Sequence, residues 1–78
     1  MTPAEELRAA AARWRTTHPD DGLAHALADL LGALADDADM CDRINNRRPA
    51  DEYATRVMYA PATTRALAVA RLINQEQP

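Results

Sequence analysis

The sequence predicts an all-α fold: a small bundle of three main helices at about residues 3–16, 21–45 and 62–74, with a short fourth near 51–59. Three observations carry that prediction. Eighteen of the 78 residues are Ala, the strongest helix former. Apolar residues recur at steps of three and four through most of the chain. Only one stretch, near its middle, alternates as a strand would.

Composition limits how such a fold stabilises itself. A chain of this length buries roughly 60–65% of the surface its unfolded form exposes. Eight Leu, two Val, two Ile and no Phe leave a thin, Ala-rich core. The net charge of −3 is too small to favour disorder. A single Cys, Cys41, cannot close an internal disulfide, and no paired Cys/His spacing suggests zinc. Such a chain gains most from a partner, so a homodimer or an obligate docking partner is expected. The start "MTPAEELRAA" does not read as a signal peptide and no long apolar run occurs, so a cytoplasmic location is expected.

The first helix opens on Thr2 as N-cap, with Pro3 at the first helical position and Glu5 completing a capping box. Leu7, Ala10, Ala11 and Trp14 form one face, and Trp14 is expected to be the largest plug in the core. The helix should end before Pro19, since a residue preceding proline avoids helical geometry.

Asp20 or Asp21 caps the second helix. Leu23, Leu27, Leu30, Leu34, Cys41 and Ile44 recur at alternating steps of four and three, and Leu31 and Ala38 fall on the same side. This Leu stripe is the expected core or dimer seam. Asp37 occupies one seam position and Gly32 loosens the middle, which favours bundle packing over a long coiled coil. Asp29 and Asp36 project away from the stripe, with His25 and Asp39 nearby.

The segment "RRPADEYATRVMYAP" supports two readings. Tyr53, Ala54, Val57 and Met58 fit a helical stripe, whereas Tyr53, Thr55, Val57 and Tyr59 alternate like a strand. A lone strand would need a partner across a dimer, so the helix is favoured. The last helix begins between Pro61 and Thr63 and presents Ala66, Val69, Ala70 and Ile73, with Leu72 beside them.

Three stretches, "AEELRAAAARWR", "HPDDGLAHALADLLGALA" and "RALAVARLI", resemble in this order a set of short, uncharacterised proteins from actinobacteria and their phages. The chain departs from them by running from "RTTHP" straight into the long helix, without the Gly-Pro-Trp segment that often intervenes. The resemblance implies an accessory protein of a phage or mobile element. It implies no activity and no catalytic residue.

Charge is the sharpest pattern left. Residues 20–42 hold seven Asp and no Arg, while residues 43–78 hold six Arg against three acids. Asp29, Asp36 and Asp39 are the expected binding residues, facing a basic or nucleic-acid-handling protein. The plainer account has the Arg-bearing helices on either side complement that charge. Arg47, Arg48 and Arg56, with Arg43, suggest nucleic-acid binding instead, although a pI near 5.2 argues against it. His25 and Asp29, one turn apart, suggest a metal-dependent enzyme only if further ligands converge. With two Gly in the chain there is no phosphate loop, and Cys41 lies on the apolar face among acids that blunt a thiolate. A non-catalytic binding protein without a cofactor is therefore expected.

Overall fold

A computed structural model describes residues 1–47 and 57–75 of the chain. It contains three helices, α1 (Pro3–Thr17), α2 (Gly22–Arg47) and α3 (Pro61–Gln75), and no strand among the described residues. The all-α bundle read from the sequence is thus the observed fold. Of the predicted fourth helix at 51–59, residues 51–56 lie outside the described residues, and 57–59 run without regular structure.

Each helix begins where its local chemistry dictates. The Thr2 hydroxyl accepts the Glu5 N–H at 3.1 Å and donates to the Glu5 carboxylate at the same distance. The capping pair therefore closes side chain to side chain at the helix start, one orphan donor being satisfied. At the other end the His18 N–H donates to the Trp14 carbonyl, and residues 18–21 turn the chain. Asp21 then caps α2, its carboxylate accepting the Leu23 N–H at 3.0 Å. In α3, Pro61 stands at the first helical position, where its missing N–H costs nothing.

The four-residue turn makes α1 and α2 antiparallel neighbours, as the pairing of Arg8 with Asp36 and of Arg15 with Asp29 records. α1 is central and packs on both other helices, whereas α2 and α3 touch least. Glu6 and Arg13 tie α1 to α3. The Arg71 guanidinium lies 3.3 Å from the Glu6 carboxylate, the Asn74 amide donates to the Glu6 carbonyl, and Arg13 donates to the Asn74 carbonyl at 2.7 Å. The last contact sets a cation on the C-terminal turn of α3, where the helix dipole favours it.

Ala4, Leu7, Ala10, Ala11, Ala28, Leu31, Ala35, Ala38, Leu67 and Ala70 make up the core. Seven of these ten are alanine, so the helices approach closely and few large side chains separate them. Here the expected core is corrected. α2 buries Ala24, Ala28, Leu31, Ala35 and Ala38, whereas Leu23, Leu30 and Ile44 are exposed and Leu27 and Leu34 only half-buried. The two rows have the same four-three spacing and are offset by one residue, about 100° around the helix. α1 buries Ala4, Leu7, Ala10 and Ala11, so small side chains predominate on both faces. Trp14 is corrected likewise: it is half-buried at the edge of the core, and Leu7 is the largest fully buried apolar side chain.

Candidate interaction surfaces

The acidic residues of α2 do not stand alone. Arg8 of α1 bridges Asp36 at 2.7 Å and Asp39 at 2.8 Å, and Arg15 pairs with Asp29. The two carboxylates hold the Arg8 guanidinium above its ordinary pKa, chiefly through their hydrogen bonds. The plainer account, in which flanking arginines complement these acids, holds for α1: it lies alongside and its arginines answer three of them. Asp36 and Asp29 remain widely open to water, with side chains 76% and 73% exposed. Ion pairs so exposed are screened by water and add little to stability.

The Leu stripe forms the second surface. Along the outer side of α2 run Leu23, Ala26, Leu30, Ala33, Asp37, Met40 and Ile44, all exposed. The larger ones are left 68% (Leu23), 54% (Leu30), 62% (Met40) and 39% (Ile44) accessible. Leu27, Leu34 and Cys41 border this row, half-buried. Asp37 is its single charge. Isolated exposed leucines are ordinary on a protein surface; here four large apolar side chains share one exposed helical row.

At the C-terminal end of α2 the returning chain is clamped by polar side chains. The Asn45 amide donates to the Val57 carbonyl at 3.0 Å and accepts the Val57 N–H at 2.8 Å, as a neighbouring strand would. The Tyr59 hydroxyl donates to Asp42 at 2.6 Å. That bond, helped by burial, pushes the Tyr59 phenol up to about 12. The half-buried Cys41 thiol lies 3.9 Å from the Met58 carbonyl. Sequence reasoning placed Tyr59 in an alternating run but gave neither it nor Asn45 a partner, because a clamp across 12 or 17 residues of separation leaves no periodic trace.

A cleft of about 350 Å³ lies where the C-terminal ends of α1 and α3 meet, between Arg13, Trp14, His18, Val69, Leu72 and Ile73. Trp14 and His18 stack there at a tilt, their rings 6.1 Å apart.

The remaining candidates are dispersed. The His25 ring nitrogen lies 2.7 Å from the Pro19 carbonyl while Asp29 faces Arg15, so these two do not converge. Among the described residues, no three His, Cys, Asp or Glu side chains form a group able to hold a metal ion. Arg47 is exposed in the last turn of α2, and Arg48 and Arg56 lie outside the described residues. No described helix is long and apolar enough to cross a membrane. Compared with known proteins, the chain matches no protein-family model, no curated protein and no solved structure.

Proposed function

We propose that this is a non-catalytic helical binding protein, and that the outer face of α2 is its binding surface. The observation that carries this reading is the inversion on α2: alanines are buried while Leu23, Leu30, Met40 and Ile44 face outward. Exposing those side chains forgoes roughly 1.5–3 kcal/mol apiece that full burial would contribute. A partner that covers them recovers part of it.

A second reading places the interface on Asp29, Asp36 and Asp39 and gives it a basic partner. The exposure of Asp29 and Asp36 favours it. Against it, a basic partner would have to compete with Arg8 and Arg15, which are already in place. The accessory role implied by the phage-protein resemblance is compatible with either surface.

Affinity capture with three baits separates the two. The proposed reading expects the wild-type chain and the Asp29→Asn, Asp36→Asn, Asp39→Asn variant to retain the same partner, and Leu30→Glu to lose it. Loss in the triple variant with retention in Leu30→Glu would transfer the function to the acidic face. Circular dichroism on each bait checks that lost capture is not lost helicity.

A further inference from the structure

We infer that the outer face of α2 pairs with the same face of a second copy of this chain, with the two helices antiparallel. The inference rests on the binding reading above and names the partner.

A symmetric pair requires a patch complementary to itself. The outer row of α2 together with its half-buried border, Leu27, Leu34 and Cys41, meets that requirement about a midpoint between Ala33 and Leu34. Counted from there, Leu23 lies opposite Ile44, Leu27 opposite Met40, Ala26 opposite Cys41, and Ala33 opposite Leu34. Bulk meets bulk at the two ends, and at the centre each alanine receives the other copy's leucine, twice by symmetry. The four-three recurrence over residues 23–44 is the spacing with which paired helices interlock.

Charge selects the direction. Asp37 is the one ionised group in the row. Parallel, in-register pairing would set it against its own copy in the seam, a like-charge contact that disfavours association. Antiparallel pairing sets it against Leu30 instead and keeps the two Asp37 side chains well apart along the helix. The row carries no Arg, so it offers nothing to an acidic partner.

Specific interfaces begin at roughly 1,200 Å² in total, so the pair must use the whole row from Leu23 to Ile44, whose larger side chains are 39–68% exposed. Association in the micromolar range is the corresponding expectation.

Sedimentation equilibrium over about 1–500 µM tests the pairing. The mass should rise from one copy to two in the wild-type chain and stay at one in Leu30→Glu, with helicity unchanged. Val69→Glu, at an exposed position on α3, should dimerise as the wild type does. The direction is tested by oxidising a Leu23→Cys, Ile44→Cys, Cys41→Ser variant and mapping its cross-linked peptides. The two new thiols lie too far apart on one helix to join each other, so a disulfide between positions 23 and 44 must link two copies antiparallel.

Joining of 23 to 23 and 44 to 44 would overturn the antiparallel pair. A dimer that persists in Leu30→Glu would place self-association on another face and overturn the inference. A wild-type chain monomeric throughout would overturn it as well. In that case the three-bait capture separates the two failures: capture lost only in Leu30→Glu leaves the face in use by a different protein, and capture indifferent to Leu30 ends the binding reading too.

Discussion

α2 carries two largely apolar rows on different sides, and the fold buries the one with the smaller side chains. The inner row, Ala24, Ala28, Leu31, Ala35 and Ala38, meets the alanines of α1, while the outer row keeps Leu23, Leu30, Met40 and Ile44 in contact with water. Size alone would have chosen the opposite face. The difference shows that shape agreement between facing helices decides a thin core: α1 offers Ala4, Ala10 and Ala11 around one large side chain, Leu7, and a row of small side chains packs against that face closely enough to exclude water.

The comparison breaks most easily at Leu7, among the described residues the largest apolar side chain that is fully buried. Leu7→Ala should lower the unfolding free energy by about 2–5 kcal/mol, much of the stability of a domain this small. Leu30→Ala removes the same atoms from the outer row and should change it by less than about 0.5 kcal/mol at low protein concentration. Urea denaturation of both variants measures the contrast. Equal losses would mean that the outer row is covered within one chain.

Adding volume sharpens the same contrast. Ala28 is fully buried, so Ala28→Leu forces α1 and α2 apart and should cost about 1–3 kcal/mol. Ala33→Leu makes the same change on the exposed outer row and should be close to neutral at low protein concentration, where the chain is a monomer. Thermal unfolding followed by circular dichroism orders the two.

The third face of α2, polar and open, isolates propensity from packing. A Cβ added at Gly32 meets nothing within 4 Å, and the backbone there is already helical. Gly32→Ala should therefore raise stability by about 0.5–1 kcal/mol, visible as a higher urea midpoint with an unchanged slope. A loss instead would show that Gly32 has a role in contacts the helix makes with other molecules.

Helix positions were largely legible because capping and termination are local. Thr2, Pro3, Asp21 and Pro61 act within one turn of themselves, and the three helices begin and end within two residues of where those signals put them. The choice of buried face on α2 was not legible. Periodicity ranks rows by hydrophobicity, and the deciding variable was the alanine surface of α1, a property of a different segment. The acid face was half legible: its positions followed from the helical period, but its pairing depended on Arg8 and Arg15 lying alongside. The plainer expectation, that flanking arginines complement the acids, describes α1.

The clamp at the end of α2 was illegible for the same reason, and it supplies the smallest and most selective test. Tyr59 donates to Asp42, and its phenol is pushed up to about 12, above the ordinary value of 10.0. A group whose pKa is raised on folding favours the folded state fully below its unfolded pKa. That contribution fades as the phenol ionises, so stability from the clamp should be constant below pH 10 and decline between about 10 and 12. The chain has no Lys, which leaves tyrosines as the side chains that ordinarily titrate in this window. Absorbance of tyrosinate near 295 nm should show one late-rising step that Tyr59→Phe removes and Asp42→Asn moves to lower pH. Denaturation at pH 9 and at pH 11.5 should show a larger fall for the wild type than for Tyr59→Phe. An identical fall would mean that Asp42 and Tyr59 do not hold the returning chain to α2 in solution, and that Asn45 alone performs that task.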